Sequence, residues 1–433
     1  MALDSFARRR KSVLDLIRPG ALVAFAAPVA LRNRDVEHEY RQDSDFYYLT
    51  AFEEPESVAV LGGAGEAPFV MIVRPRDPER EVWDGPRAGV EGAVAVFGAD
   101  TAYPREQLEQ RLVELLTNVP RLYYELGRDR DADEVVLRAI ARLRARARQG
   151  AVWPTEIVEP STALHELRLR KHPDEIEKLE HACRITEQAH LEAMARAEPG
   201  QREYEVEAVL RAHFLRHGAR RVSYQPTVAS GPNATVLHYN RNDRQMQDGE
   251  LVLVDAGCEY AYYAADITRT FPVGGRFGVT QAAVYDVVVE AQTCALGAVR
   301  PGATLDDVHR ACVETITEGL VELGLVSGPV ADAVREERHK PYFMHRTGHF
   351  LGMDVHDVGT PYPGGQSRVL EPGMVLTVEP GLYFSPSDEA VPERFRGIGV
   401  RIEDDVLVTA EGARVLGDGI PKRREDVERA CRR

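Results

Sequence analysis

One stretch constrains the fold more than any other: LVLVDAGCEYAYYAADITRTFPVGG, from Leu251 to Gly275. Its apolar residues are typical of buried β-structure, yet it contains Asp255 and Asp266. Because a buried carboxylate without a partner is energetically expensive, the two side chains either face water, as parts of a polar turn, or share a cation. A hairpin would bring them side by side, where two carboxylates repel each other unless a proton or a cation lies between them. The stretch alone leaves both interpretations open.

The overall charge and the cysteine content limit the functional classes. The 433 residues include 69 acidic and 54 basic side chains, and the formal net charge of −15 is opposite to the basic footprint of nucleic-acid-binding proteins. The five cysteines are scattered without a Cys-x-x-Cys pair, which favours a reducing compartment over a disulfide framework. No apolar run approaches the length of a membrane helix, and no signal-peptide core is present. We therefore expect a cytoplasmic protein that binds neither nucleic acid nor a membrane.

Two regions differ in their order of helices and strands. The first alternates apolar strand-like runs with helical runs, which predicts an α/β domain. The second combines paired helices with strand-like runs, which predicts an α+β domain with a mostly antiparallel sheet. The boundary is expected after residue 168, which gives domains 1–168 and 169–433. In the first region the predicted strands lie within 21–31, 57–63 and 69–75, and the predicted helices within 106–119 and 132–149. In the second region the predicted strands lie within 250–257, 267–273, 373–383 and 399–409.

Four helices are expected in the second region. The first opens at Pro173 and ends before Pro199-Gly200, and the second covers 203–217. The other two are expected to begin at Thr280 and Thr304, because threonine is a favoured N-cap residue.

A cluster of histidines lies in YFMHRTGHFLGMDVHDV, at residues 342–358. His345, His349 and His356 fall within 12 residues of a chain that has only 13 histidines. The glycines between them favour a loop or an irregular strand over a helix. Chance combined with core packing remains the alternative.

Two further acidic positions lie in strand-like runs. Glu379 follows Thr377 on one face of VLTVEPGLY, and Glu403 follows Arg401 on one face of GVRIEDDVLV. Taken singly, each pair suggests only an exposed edge with a weak ion pair. Taken together with Asp255 and Asp266, four carboxylates would carry a charge that two divalent cations offset. Oxygen-rich ligation with one imidazole suits Mn²⁺ or a similar ion, and two adjacent ions can activate water and polarise a carbonyl.

These motifs resemble those of the aminopeptidase P/prolidase family of "pita-bread" metallopeptidases. The similarity rests on DAG…DITRTFP, HRTGHFLGMDVHDVG, TVEPGLY and GVRIEDD, and extends to SGPNATVLHYN and YRQDSDFYYLTAFEEPESVAVL. It implies a non-catalytic α/β N-terminal domain, a pita-bread catalytic domain with a curved, mostly antiparallel sheet, and a homodimer or homotetramer.

The resemblance also implies roles for single residues. The metal ligands would be Asp255, Asp266, His349, Glu379 and Glu403, which would hold two divalent ions, Mn²⁺ in the first place and Co²⁺ or Zn²⁺ as alternatives. Glu379 would also act as general base, His356 would contact the substrate carbonyl, and His238 would lie near the substrate. His345 and Arg401 would orient ligands and help to move protons. Tyr383 would line the proline site, and Trp83 would reach towards a neighbouring subunit, with local packing as its alternative.

The activity implied is that of a Xaa-Pro aminopeptidase, which removes the first residue of a peptide whose second residue is proline. A prolidase that cleaves only Xaa-Pro dipeptides would need the same ligands. A methionine aminopeptidase and a peptide-binding relative without catalysis are further alternatives. Arg346 departs from the residue of some relatives and is expected to lie near the site.

Overall fold

The computed structural model describes residues 3–432, and in it the chain divides into two compact units between Leu167 and Arg168. The division lies one residue before the boundary expected from the sequence. Residues 1, 2 and 433 of the expected domains lie outside the described residues.

A six-stranded mixed sheet forms the centre of the first unit. The strands of this unit are β1 (Ala21–Phe25), β2 (Leu31–Asn33), β3 (Val36–Glu37), β4 (Val58–Gly62), β5 (Phe69–Val73), β6 (Thr101–Pro104), β7 (Arg121–Tyr123) and β8 (Glu156–Val158). The sheet has the order β6-β5-β4-β1-β7-β8, while β2 and β3 form a separate pair. The runs of Val, Ile and Leu explain the central strands, because β4 and β5 are buried almost throughout.

Helices alternate with these strands along the chain, and two of them pack apolar stripes against the sheet. They are α1 (Leu3–Ile17), α2 (Ser44–Thr50), α3 (Pro78–Asp84), α4 (Gly89–Ala95), α5 (Leu108–Leu115), α6 (Arg130–Ala145) and α7 (Ser161–Leu169). Buried Leu112 of α5 and Val136 of α6 belong to the same core as the sheet residues. The predicted α/β character of the first region is confirmed. Each predicted strand contains an observed one, α5 lies within its predicted range, and α6 begins two residues before its predicted range.

The second unit contains the four expected helices and two shorter ones. They are α8 (Pro173–Arg196), α9 (Glu203–Arg216), α10 (Val279–Ala298), α11 (Leu305–Glu322), α12 (Val330–Arg335) and α13 (Arg424–Ala430). Thr304 caps α11 as predicted, because its side chain accepts a hydrogen bond from the Asp307 amide. The prediction of Thr280 as an N-cap is wrong. The cap of α10 is Gly278, whose N–H is bound by the Gln281 side chain at 2.8 Å, so the helix begins before the threonine.

Short strands build the second unit's sheets. They are β9 (Arg221–Val222), β10 (Thr227–Ser230), β11 (Leu251–Asp255), β12 (Cys258–Tyr260), β13 (Tyr263–Ala264), β14 (Thr268–Pro272), β15 (Val375–Val378), β16 (Gly381–Tyr383), β17 (Gly399–Arg401), β18 (Asp404–Val408) and β19 (Ala413–Leu416). Every pairing described between these strands is antiparallel, which confirms the predicted α+β character. The sheet orders are β10-β11-β14, β13-β12-β9, β15-β18-β19 and β16-β17.

Two runs that were predicted as continuous strands are interrupted. The run at 373–383 breaks at Glu379 and Pro380, and the run at 399–409 breaks at Ile402 and Glu403. Proline has no N–H to donate to a ladder, which explains the first break. At the second break the Glu403 N–H instead reaches the carbonyl of Thr268 at 3.0 Å. The two glutamates therefore lie where the chain leaves a sheet.

The opening stretch is an antiparallel pair, but not a simple hairpin. Strands β11 and β14 pair so that Asp255 lies opposite Thr268. Between them the chain makes an excursion through β12 and β13, and its base is closed by the Ala256 N–H and the Ile267 carbonyl at 3.1 Å. Asp266 lies at the end of this excursion, which returns it to the neighbourhood of Asp255.

Among the described residues, no helix has both the length and the apolar character needed to cross a membrane.

Candidate metal centre

Four carboxylates reach one place in the second unit from the ends of strands. Asp255 ends β11, Asp266 precedes β14, Glu379 follows β15, and Glu403 lies between β17 and β18. The side chains of all four are largely buried, with 14% of Asp255, 8% of Asp266 and 18% of Glu379 exposed, and with Glu403 buried as a residue. The sequence placed these residues in apolar runs, and the structure brings them together.

A tyrosine hydroxyl lies between the two aspartates. The Tyr224 oxygen is 2.5 Å from Oδ1 of Asp255 and 2.6 Å from Oδ1 of Asp266. Burial, followed by the charge of Asp255, raises the pKa of Tyr224 well above its usual range, so the hydroxyl keeps its proton and acts as a donor. The second oxygen of Asp255 accepts a hydrogen bond from Nη2 of Arg401.

Glu403 is held by Thr268 on the neighbouring strand. The Thr268 hydroxyl donates to Oε2 of Glu403 at 2.6 Å and accepts from Nε of Arg401 at 3.2 Å. The strand period predicts that Arg401 and Glu403 lie on one face, and both side chains form hydrogen bonds with the same threonine hydroxyl.

His349 presents one nitrogen to the carboxylates. Its Nδ1–H donates to the carbonyl of Phe350 at 3.0 Å, so Nε2 points to Oδ2 of Asp266 at 3.5 Å and to Oε1 of Glu379 at 3.7 Å. The surrounding segment is a loop that contacts β15: Phe350 forms an isolated bridge with Leu376, and the His349 N–H donates to Oγ1 of Thr377 at 3.1 Å. The prediction of a loop or an irregular strand in place of a helix is confirmed.

Burial and the closeness of these charged groups shift their pKa values. Burial, together with the charge of Asp266, raises the pKa of Glu403 well above its usual range. Burial also raises the pKa of Glu379 to about 7. Burial alone would lower the pKa of His349, but the hydrogen bond and charge of Asp266 raise it to about 9. The site therefore attracts positive charge.

The donor set fits a divalent cation. Asp266, His349 and Glu403 each offer one ligand atom, and these atoms lie within 4.8 Å of one another. Asp255 and Glu379 are linked to this group through Tyr224 and His349. Carboxylate oxygens with one imidazole nitrogen suit Mn²⁺, Zn²⁺ or Co²⁺ more than thiolate-preferring ions. A cation would also relieve the repulsion that raises the pKa of Glu403.

A second row of side chains connects His345 to Arg401. The Nδ1–H of His345 donates to the carbonyl of Arg346 at 2.7 Å, which leaves Nε2 to accept from the Tyr383 hydroxyl at 2.9 Å. Nη1 of Arg401 donates to the same hydroxyl oxygen at 3.1 Å. Burial lowers the pKa of His345 to about 4, which keeps this imidazole neutral. Tyr383 itself is buried, so its ring is held within this row.

His356 and His238 lie at the exposed side of the site. The His356 ring is 4.3 Å from the His349 ring, and burial lowers its pKa. His238 is also exposed, on the segment that precedes β11.

Two other expected residues have less central positions. Arg346 forms an ion pair with Asp306 and is 51% exposed. Trp83, on α3 of the first unit, is 84% exposed, so it is not packed into a core. Its neighbour Val82 is 81% exposed.

Sequence reasoning missed Tyr224, Thr268 and Asp405. Tyr224 precedes β10 and has no motif of its own. Thr268 could have been noticed, because the alternation Thr-Arg-Thr at 268–270 places two hydroxyls on one face of a strand in an apolar stretch. Asp405 is fully buried, and its Oδ2 accepts from the Asp266 amide at 3.0 Å.

Comparison with known proteins places this chain in a family. Residues 177–410 match the model of metallopeptidase family M24, and residues 6–123 match that of the aminopeptidase P N-terminal domain. The chain belongs to metallopeptidase family M24. M24 membership makes it a hydrolase that depends on divalent metal ions, with an N-terminal domain of the aminopeptidase P type ahead of the catalytic domain. The expected resemblance and fold class are confirmed.

Individual relatives extend the similarity over the whole M24 chain. The Xaa-Pro aminopeptidase of Escherichia coli K12 is 44% identical over 428 residues, which cover 98% of this chain and 97% of that protein. The solved structure of a Pseudomonas aeruginosa aminopeptidase is 46% identical with a TM-score of 0.98, and covers 100% of this chain and 98% of that one. A zinc-substituted E. coli aminopeptidase P in complex with product is 43% identical with a TM-score of 0.96, over 100% of this chain and 98% of that one.

Proposed function

We propose that this M24 enzyme is a Xaa-Pro aminopeptidase, which releases the N-terminal residue from peptides with proline in second position. The observation that carries the proposal is the convergence of Asp255, Asp266, His349, Glu379 and Glu403 beneath an exposed pair of histidines. The names of the relatives that match over nearly the full chain support the choice of substrate.

The proposed ligands are these five side chains, and the proposed ions are two Mn²⁺, with Co²⁺ or Zn²⁺ as alternatives. When bound, the ions would supply Lewis-acid activation of water and of the scissile carbonyl. The single imidazole among four carboxylates supports an ion that prefers oxygen ligands.

Glu379 is proposed as the proton carrier. Its carboxylate would take a proton from the attacking water and return it later in the reaction. The returned proton would go to the proline ring nitrogen, which is a poor leaving group until it is protonated. Oγ1 of Thr377 donates to Oε1 of Glu379 at 3.3 Å and would keep the carboxylate oriented.

The neighbouring side chains would hold the substrate. His356 would donate a hydrogen bond to the carbonyl oxygen as negative charge develops there. His238 would contact the peptide at the exposed side. The row Arg401–Tyr383–His345 would keep Asp255 oriented through the Arg401 guanidinium. Because an Xaa-Pro bond has no N–H, the site must recognise the ring instead, and Tyr383 would support the wall of that pocket.

The test is a peptide panel. The metal-free enzyme, reloaded with Mn²⁺, Co²⁺ or Zn²⁺, is offered Gly-Pro, Gly-Pro-Pro and a longer Xaa-Pro peptide, and the released amino acid is measured. We expect cleavage of the longer peptides, with the highest rate in Mn²⁺. Asp255→Asn should lose activity, whereas Asp286→Asn, an exposed aspartate paired with Arg424, should keep it. Cleavage of the dipeptide alone would make the enzyme a prolidase.

We also propose a cytoplasmic homodimer or homotetramer. The five cysteines are all free, which supports a reducing compartment. The adjacent exposed side chains of Val82 and Trp83 support a contact between subunits. Light scattering of the native protein and of Trp83→Ala should show a loss of assembly in the variant. A wild-type monomer would contradict the proposal.

A further inference from the structure

One face of α8 carries polar side chains into the core of the second unit. Glu175, Cys183, Thr186 and His190 are each at most 1% exposed. At 3.6 residues per turn they fall within an arc of about 80°. Polar groups buried at this depth must find partners, because an unsatisfied donor or acceptor in a core is expensive.

Three of these side chains bind the excursion between Asp255 and Asp266. Nε2–H of His190 donates to the carbonyl of Ala256 at 3.1 Å. Oγ1 of Thr186 accepts from the N–H of Cys258 at 3.1 Å. Oε1 of Glu175 accepts from the hydroxyl of Tyr263 at 2.8 Å. The helix therefore holds the excursion at its beginning, in β12 and in β13.

The fourth side chain reaches Asp266 through one intermediary. Sγ of Cys183 donates to Oδ2 of Asp405 at 3.2 Å. The same Oδ2 accepts from the backbone N–H of Asp266 at 3.0 Å. Both the residue after Asp255 and the amide of Asp266 are thus linked to α8.

Outside α8, the excursion pairs through β12 with the two-residue strand β9, and its Ala264 N–H donates to the carbonyl of Gly352 at 2.8 Å. Strands β12 and β13 have three and two residues, and a ribbon this short is marginal without packing. Its two ends carry the aspartates that the proposed metal centre uses. A shift of the ribbon would therefore change the separation of the two carboxylates.

We infer that Cys183, Thr186 and His190 are positioning residues, which set the spacing of Asp255 and Asp266 and thereby the affinity of the centre for its ions. The inference rests on the proposed ligand roles of the two aspartates. Outer partners of metal ligands commonly change affinity by about 10–100-fold when removed, and we expect an effect of that size here.

The first experiment compares two buried threonines. Thr186→Val removes the acceptor of the Cys258 amide with little change in shape. Thr317→Val is the matched control, since Thr317 is equally buried and its hydroxyl donates to the carbonyl of Val313 in its own helix, at 2.6 Å. Metal-free, full-length protein is titrated with Mn²⁺ by calorimetry. Thr186→Val should bind about 10–100-fold more weakly, and Thr317→Val should bind as the wild type does.

A kinetic readout separates positioning from general weakening of the fold. In Thr186→Val the loss of kcat should be recovered by excess Mn²⁺, with KM for the peptide unchanged. Equal Mn²⁺ affinities for the two valine variants would overturn the inference, whether both match the wild type or both fall.

A second pair of variants keeps the inference testable if Thr186→Val does not fold. Cys183→Ser retains a donor to Asp405, whereas Cys183→Ala removes it. The alanine variant should bind Mn²⁺ more weakly and the serine variant should be close to the wild type; wild-type affinity in both would refute the positioning role. Asp255→Asn distinguishes an error in the proposed metal centre from an error in the role of α8. If that variant binds Mn²⁺ normally, the proposed centre is wrong, and if it alone loses binding, only the role of α8 is wrong.

Discussion

Thr268 and Glu403 are joined twice, although 135 residues separate them: the Thr268 hydroxyl donates to Oε2 of Glu403 at 2.6 Å, and the Glu403 N–H donates to the Thr268 carbonyl at 3.0 Å. The contact connects the sheet that carries Asp255 to the strands that carry Glu379 and Glu403. Arg269, next in the chain, adds a hydrogen bond from Nη1 to the Glu403 carbonyl at 2.7 Å. The proposed metal centre therefore lies where these two parts of the second unit are hydrogen-bonded to each other.

The hydroxyl between Asp255 and Asp266 can be removed without changing the shape of the core. In Tyr224→Phe the two carboxylates lose their shared donor, so we expect Mn²⁺ affinity to fall by about 10–100-fold while the fold is retained. Calorimetric titration measures the affinity, and circular dichroism checks the fold. Tyr285→Phe is the control, because Tyr285 is buried and its hydroxyl donates to the carbonyl of Lys422 at 2.9 Å. Unchanged affinity in Tyr224→Phe would show that the hydroxyl does not support the ligands.

Glu379 is expected to carry a proton during catalysis. Glu379→Gln cannot do so, and kcat should fall by about 10²–10⁴-fold at saturating Mn²⁺, with a smaller change in KM. The bound Mn²⁺ is measured by elemental analysis, because Glu379 is also a proposed ligand. Glu318→Gln, at an exposed position of α11, should have wild-type kinetics. A variant that binds its metal fully and keeps its kcat would exclude Glu379 as the proton carrier.

Buried ion pairs hold the segment that follows His356. The Asp357 carboxylate is 1% exposed, 2.8 Å from Nζ of Lys171 and 2.7 Å from Nη2 of Arg168. Burial alone would raise the pKa of Asp357, but the two cations lower it. The contribution to stability is therefore present at neutral pH and is lost as the pH falls through this lowered pKa.

Removing that carboxylate leaves two buried cations without it. Asp357→Asn should lower the free energy of unfolding by about 3–5 kcal/mol at pH 7, as measured by denaturant titration. The exposed pair of Asp286 and Arg424 provides the comparison, and Asp286→Asn should cost less than ~1 kcal/mol. A similar loss of unfolding free energy in both variants would mean that burial does not make the Asp357 ion pairs more stabilising than an exposed pair.

His190 should give the stability a pH dependence in the acid range. Burial lowers its pKa from 6.5 to about 4, so the unfolded chain binds this proton more readily than the folded one does. Stability is therefore complete above pH 6.5 and decreases as the pH falls towards about 4. A shift of this size corresponds to roughly 3 kcal/mol.

The variant His190→Gln retains a donor for the Ala256 carbonyl but does not titrate. Its free energy of unfolding, measured without metal at several pH values, should decline less between pH 6.5 and 4 than that of the wild type. Parallel curves for the two proteins would show that His190 is not the group responsible.

Several features of the fold follow from local sequence. The valine- and leucine-rich runs became β4, β5 and β11, because such residues pack on both faces of a sheet. The threonine N-cap of α11 was predictable from the sequence. The N-cap of α10, Gly278, was not, because the hydrogen bond at this helix end comes from the Gln281 side chain, which accepts from the Gly278 N–H. The strand breaks at Glu379 and Glu403 were also missed, since alternation continues through both positions while the hydrogen bonds do not.

By itself, the sequence determined which side chains need a hydrogen-bond or ionic partner. These are the carboxylates in apolar strands and the histidines among glycines, because burial of any such polar group without a partner costs free energy. Only the tertiary structure decided what those partners are. Tyr224 meets Asp255 across 31 positions, and Cys183 meets Asp405 across 222. Such pairs depend on how helices and sheets pack against each other. The helical and strand periodicities of the sequence do not predict them, because those periods relate only residues that are close in the chain. The separation of Asp255 and Asp266 is therefore a property of the packed molecule, in which α8 and the strand pair act together.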